Sequence, residues 1–150
     1  MADRPWRTWR RWRAMFVAAA LFNFAIGVPI ILFPGWTYGV AYVPPVAAGD
    51  AVALRFWGDF GYAVTIIGAG YLLVARDPAQ NRGLVWVGVA AKLFDVMTLT
   101  SRFATGLARP VALLPALIDG AFVILFLLFL YRMRPHHERV LEEPTTGPPR

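Results

Sequence analysis

Four long apolar stretches constrain what this chain can fold into. They lie at about Ala14–Phe33, Ala51–Ala75, Gly83–Arg102 and Pro110–Tyr131. A transmembrane helix needs roughly 20 consecutive, mostly apolar residues, and each stretch is that long. The apolar residues run continuously, whereas a soluble domain shows them in periodic stripes. The sequence therefore predicts an all-α integral membrane protein with one four-helix transmembrane bundle over residues 14–133.

The positions of the basic residues indicate how the bundle is oriented. Five lie within the first 13 residues, and Arg76 and Arg82 flank the second loop. The first loop has no Lys or Arg. Because short cytoplasmic loops carry an excess of Lys and Arg, we expect both termini in the cytoplasm (N-in, C-in), although Arg102 and Arg109 then lie on the opposite side. The net charge of +6 is explained in this way without a nucleic-acid partner.

The composition excludes several kinds of chemistry. The chain has no Cys, which excludes disulfides, thiolate metal sites and iron–sulfur clusters. Its two His, His136 and His137, lie in the tail 134–150, which is expected to be disordered because it is rich in Pro and charge. There is no glycine-rich phosphate loop or nucleophile elbow. No metal is expected, because Lys and Arg already supply the counter-charge of the intramembrane Asp residues.

The segment 1–13 predicts a lipid-surface anchor. Its Trp residues recur every third position with Arg residues between them, so a helix would have aromatic rings on one side and guanidinium groups around the other. Such a helix suits the headgroup layer of an anionic membrane. It serves either as a simple topology anchor or as a regulatory, partner-binding helix. The anchor residues are Trp6, Trp9, Trp12, Arg7, Arg10, Arg11 and Arg13.

The two connections inside the bundle differ in character. The first, residues 34–45, carries the rings Trp36, Tyr38 and Tyr42, and such rings favour the membrane interface. Its Pro and Gly residues disfavour one continuous helix, so we expect a segment folded back over the outer mouth, as an aromatic belt or a gating lid. The second, residues 76–83, is expected to be a tight turn because Asp77-Pro78 favours turn initiation.

Six ionisable residues lie within the apolar stretches, namely Arg55, Asp59, Lys92, Asp95, Arg102 and Asp119. A charge near the bilayer centre costs about 2.5–3.5 kcal/mol on insertion scales, so such residues pair or face the bundle interior. The predicted spans bring most of them to the outer half of the membrane. We therefore expect one connected polar cluster, and the residues that would form it are Arg55, Asp59, Lys92, Asp95 and Asp119, with Asn23 nearby.

Three interpretations of this cluster stay open. It is an ion-pair network that only fixes helix packing, a binding site for a lipid headgroup or a quinone-like ring, or a path for protons or ions. We favour a non-catalytic protein that binds a lipid or quinone, or that serves as an accessory subunit beside other membrane subunits. The alternative is a small proton-coupled transporter or membrane enzyme that uses Asp59, Asp95 and Asp119.

Part of the chain, about Ala51–Asp95, resembles the small bacterial four-helix proteins grouped as DoxX-like. The resemblance lies in the runs Gly58–Tyr62, Gly68–Tyr71, Asp77-Pro78, Asn81–Gly83 and Gly88–Lys92. It implies a four-helix bundle in the bacterial cytoplasmic (inner) membrane. Some members are named as subunits of thiosulfate:quinone oxidoreductase or associate with redox enzymes, but the family is mostly uncharacterised, so the resemblance implies the fold much more than the function.

Overall fold

The protein is almost entirely helical. The computed structural model describes residues 5–43 and 50–133, with side chains from Trp9 onward in the first range. Within these ranges there is no β-strand, and four helices are long and apolar enough to cross a membrane, as the sequence predicts. The predicted tail 134–150 lies outside the described residues. The helices are α1 Pro5–Leu32, α2 Pro34–Ala41, α3 Ala51–Arg76, α4 Arg82–Ala104 and α5 Leu113–Arg132, and a 3-10 turn, Pro110–Ala112, precedes α5.

Helix α1 runs without a break through the basic aromatic segment into the first apolar stretch. The Trp12 ring packs edge-on against Phe129 of α5, with 5.4 Å between the ring centroids. Arg13 donates from Nη2 to the carbonyl oxygen of Arg76, at 3.1 Å. Part of the predicted lipid anchor thus contributes to packing between helices. The side chains of Trp6 and Arg7 lie outside the described residues.

The four long helices alternate in direction. Arg13 of α1 reaches the end of α3, and Arg82 at the start of α4 donates to the carbonyl oxygen of Leu130, near the end of α5, at 3.1 Å. The first residues of α1 and the last residues of α5 therefore lie at the same end of the bundle. We call this the terminal end, and the opposite end the α2 end.

The helices associate as two pairs, α1 with α3 and α4 with α5. Glycines bring α1 and α3 together. A Cβ atom added at Gly61 would lie 2.8 Å from Ile30 Cγ2 and 3.0 Å from the carbonyl oxygen of Gly27, and one at Gly68 would lie 3.0 Å from Asn23 Cβ. Small residues allow membrane helices to approach this closely. Other glycines have open space where a Cβ would be, among them Gly58, Gly70 and Gly120.

The two pairs are joined at both ends of the bundle. At the terminal end, the Phe16 ring of α1 packs on Phe126 and Phe129 of α5, with centroid distances of 5.2 and 5.1 Å. At the α2 end, an antiparallel bridge joins Tyr42 to Ala108. Between these two joints the pairs are less closely packed, and a cavity lies there.

The connections are more ordered than the sequence predicts. Residues Pro34–Ala41 form the short helix α2, whereas the sequence predicted only that residues 34–45 would not form one continuous helix. Pro34 begins this helix, where its missing N–H is tolerated and its fixed φ favours helix formation. At the other end of the bundle, Asp77 Oδ1 accepts hydrogen bonds from the backbone N–H groups of Ala79 and Gln80, both at 3.1 Å. The predicted tight turn is confirmed.

Candidate functional site

A buried lysine lies at the centre of the bundle. Lys92 of α4 is only 3% exposed. Its ammonium group forms an ion pair with Asp119 of α5 and donates to Asn23 Oδ1 of α1 at 3.2 Å. The Asn23 amide in turn donates to the carbonyl oxygen of Val64, on α3, at 3.1 Å. One polar network therefore connects all four long helices.

Aromatic rings enclose the same ammonium group. Its nitrogen lies 5.1 Å from the ring centroid of Phe122, 5.3 Å from that of Phe22 and 5.7 Å from that of Tyr71. A cation within about 6 Å of a ring centroid is attracted by the ring quadrupole. The rings also keep water away, which strengthens the attraction between Lys92 and Asp119.

A cavity of about 440 Å³ extends from this network toward the α2 end. Its walls are mostly apolar, and Asn23, Asp95 and Asp119 contribute polar groups at its deep end. It is bordered by exposed residues of two helices, Ala25 of α1 near the network and Leu114 of α5 nearer the α2 end. The cavity therefore opens sideways between α1 and α5.

A second cavity, of about 830 Å³, lies between α3 and α4. It shares lining residues with the first, including Trp57, Phe60 and Asp95. Asp95 thus lies where the two cavities meet. Within the described part of the chain, its carboxylate has neither a hydrogen bond nor an ion pair, so its oxygens are free to accept from a ligand.

The charges at the deep end do not balance when both carboxylates are ionised. Lys92 compensates Asp119, and Asp95 adds one further negative charge. The Lys92 amine does not line either cavity, and the Asn23 amide uses one of its two N–H groups to donate to Val64. The polar groups left to a ligand head at the deep end are therefore the Asp95 carboxylate, as an acceptor, and one N–H of Asn23, as a donor.

Aromatic residues cover both cavities at the α2 end. Tyr42 is buried, and its ring contacts those of Tyr38 and Trp57, with centroid distances of 4.9 and 5.3 Å. Arg102 donates from Nη1 to the Tyr42 hydroxyl at 2.9 Å. Burial raises the pKa of the Tyr42 phenol above its ordinary value, and the charge of Arg102 opposes this shift. Trp36, by contrast, is 67% exposed.

The predicted cluster forms only in part. The structure brings Asn23, Lys92 and Asp119 together and places Asp95 at the same cavity, but Arg55 and Asp59 are exposed on α3. Neither side chain makes an ion pair or a hydrogen bond with any described residue. The prediction that Arg55 and Asp59 would join the cluster is therefore wrong.

The rotation of α3 explains this difference. Each residue turns an α-helix by about 100°, so Asp59 lies on the side away from Gly61. Because Gly61 must face α1 for the two backbones to approach, Arg55 and Asp59 are directed outward.

The aromatic enclosure of Lys92 was not predicted from the sequence. Phe22 immediately precedes Asn23, and Phe122 follows Asp119 by three residues, a spacing that places two side chains on one helix face. These two spacings are visible in the sequence and could have indicated that the two rings lie near Lys92. The third ring, Tyr71, is buried on α3, and its hydroxyl has no hydrogen-bond partner among the described residues. No sequence pattern marked it.

Comparison of the chain with protein-family models, curated proteins and solved structures gives no match. The DoxX-like resemblance therefore stays a prediction, and the site must be interpreted from its own geometry.

Proposed function

We propose that the protein is a multi-pass membrane protein that binds an amphiphile, with the head of the ligand at Asp95 and its tail in the cavity between the helix pairs. We further propose that it lies in the bacterial inner membrane with both termini in the cytoplasm. The observation that carries the binding proposal is the 440 Å³ cavity with apolar walls and polar groups at its deep end. Ligand pockets typically enclose about 300–1,000 Å³ and combine apolar walls with few polar groups.

The carboxylate oxygens of Asp95 determine which chemical groups can form the head of the ligand. They suit a group that donates a hydrogen bond or carries a positive charge. An ammonium-bearing lipid headgroup and the hydroxyl of a reduced quinone both do so. An oxidised quinone has carbonyl acceptors and would need a donor, either the second N–H of Asn23 or Asp95 in its protonated form.

The side opening defines how the ligand enters. A tail that leaves the cavity between α1 and α5 would pass directly into the hydrocarbon of the bilayer, so binding would not require transfer through water. Ala25 lies at this opening. A larger side chain at this position should close the route without disturbing the Lys92 network.

Native mass spectrometry of protein purified in lipid nanodiscs tests the proposal. We expect a retained amphiphile on the wild type and its loss from Ala25→Phe. Ala18→Phe is the matched control, because Ala18 is also exposed and lies two turns earlier on the same face of α1, away from the cavity. Equal retention by wild type and Ala25→Phe would contradict the proposal.

The head contact is tested separately. Asp95→Asn should weaken retention, whereas Asp77→Asn, in the turn at the terminal end, should not. The mass and ultraviolet spectrum of the released compound separate the two sources, because a quinol gains the quinone absorption on oxidation and a lipid does not. A stoichiometrically bound second protein would instead favour the accessory-subunit role.

A second function, proton-coupled transport, is favoured by one observation. The unpaired Asp95 lies inside the bundle where the two cavities meet, and intramembrane carboxylates of this kind often take part in proton relays. Uptake into liposomes that is driven by a pH gradient and abolished by Asp95→Asn would support this function. Equal uptake by the wild type and by Asp95→Asn would exclude proton-coupled transport through Asp95.

A further inference from the structure

Helix α3 presents a continuous stripe of side chains on its outer side. All of its members are exposed, and they follow one another at steps of four and three residues. They are Arg55, Asp59, Tyr62, Ile66, Ala69 and Leu73. Alternating steps of three and four mark the contact seam of helices that pack side by side with a left-handed crossing. We call these residues the α3 stripe.

The α3 stripe carries two of the charges that the polar network leaves out. Arg55 and Asp59 lie about 6 and 12 Å along the axis from the first residue of α3. Hydrocarbon does not solvate such groups, so membrane-embedded charges pair or face protein. Arg55 is long enough to extend toward the headgroups. Asp59 lies deeper in the membrane than Arg55, and its side chain is too short to reach the headgroups.

We propose that the α3 stripe is the interface with a second copy of this chain. Two copies inserted in the same direction have parallel α3 helices, and a two-fold axis along the membrane normal brings the stripe against itself. Arg55 lies one helical turn above Asp59, about 6 Å, which an Arg side chain spans. Arg55 of each copy then pairs with Asp59 of the other, giving two equivalent ion pairs.

The choice of a second copy rests on this self-complementarity. The stripe contains one acid and one base at a spacing that satisfies both when it meets an identical stripe. An unrelated subunit would need its own matching pair. Gly58 lies beside the stripe and has open space around it, so the backbones can come close at the level of the charges. The inference does not depend on the ligand, because the cavities do not include Arg55 or Asp59.

Complementary charge variants test the interface. Arg55→Glu gives a chain with acids at both positions, and Asp59→Lys gives a chain with bases at both. Each variant alone should associate at least about tenfold more weakly than the wild type, because like charges then face each other. A mixture of the two, carrying different tags, should co-purify from bilayers. Pairing within one helix cannot produce this rescue, since each chain alone holds only like charges.

Disulfide cross-linking tests the interface without changing Arg55 or Asp59. Since the chain has no Cys, Ile66→Cys introduces a single thiol on the stripe, and oxidation in the membrane should give a disulfide-linked dimer. Ile124→Cys is the matched control, because Ile124 is similarly exposed, 61% against 69%, but lies on α5. The inference would be overturned by equal cross-linking at both positions or by a monomeric wild type. It would also be overturned if the mixture failed to co-purify and Ile66→Cys did not cross-link.

Discussion

Lys92 is tolerated inside the bundle because several kinds of group surround it. Asp119 supplies the opposite charge, Asn23 supplies an acceptor, and three rings present their faces. Removing one member of a buried ion pair typically costs about 3–5 kcal/mol, because the other charge stays buried without compensation. Substituting only one member of the Lys92–Asp119 pair should therefore destabilise the fold more than substituting both members.

We expect Lys92→Met to lower the free energy of unfolding by about 3–5 kcal/mol. The double variant Lys92→Met with Asp119→Asn should be less destabilised than the single one, because no unpaired charge is left in the pair. Unfolding in detergent micelles, followed by Trp fluorescence, measures this. Lys92→Met with Asp95→Asn serves as the comparison, because Asp95 is not in the ion pair. Equal recovery in both double variants would contradict the assignment of Asp119.

The sequence identified most residues of this network but could not choose between pairings. Lys92 could have met Asp95 on its own helix, or Asp59 or Asp119 across the bundle. The structure selects Asp119 because α4 packs closely on α5. Arg55 and Asp59 could not be placed in advance, since the rotation of α3 depends on which of its several glycines contact α1.

At the scale of elements, the contact between α1 and α3 depends on the absence of side chains at Gly27, Gly61 and Gly68. A Cβ atom at Gly27 would lie 2.8 Å from the carbonyl oxygen of Gly61. Backbone atoms cannot give way as a flexible side chain does. The helices must therefore separate to accommodate even one methyl group.

Gly27→Ala should reduce the stability by about 1–3 kcal/mol, the usual cost of overpacking. Gly120→Ala on α5 is the control, because an added Cβ there meets open space. It should be neutral or stabilising by up to about 1 kcal/mol, since Ala favours helix more than Gly. Thermal unfolding of the two variants under the same detergent conditions compares them. A similar loss in both would show that the close contact is unimportant.

Element bounds were predictable where an apolar run coincides with a helix. The second and third spans, expected at 51–75 and 83–102, are observed as Ala51–Arg76 and Arg82–Ala104. Hydropathy could not show that α1 begins at Pro5, because the helix continues into the basic segment. It also missed α2, where Pro34 at the first helical position favours the helix that Pro elsewhere would break.

At the scale of the whole molecule, the structure fixes which loops share an end, and the basic residues predict which end is cytoplasmic. Thiol labelling of sealed vesicles tests the orientation. Gly35→Cys at the α2 end and Ala79→Cys at the terminal end are both at exposed sites. Thr37 is less suitable for labelling than Gly35, because its hydroxyl accepts a hydrogen bond from Trp57. We expect labelling from opposite sides, with Ala79→Cys reached from the cytoplasm. Labelling of both from one side would contradict the topology.

The pairing of Lys92 with Asp119 has a consequence for how the chain is made. The two residues are 27 positions apart, and ribosomes add about 5–20 residues per second, so Asp119 is synthesised roughly 1–5 s after Lys92. During that interval the nascent chain already holds α1 and α3, with Asn23 and the rings of Phe22 and Tyr71. Of the side chains that contact Lys92 in the folded protein, these neutral ones are the only ones available until the last helix arrives with Asp119.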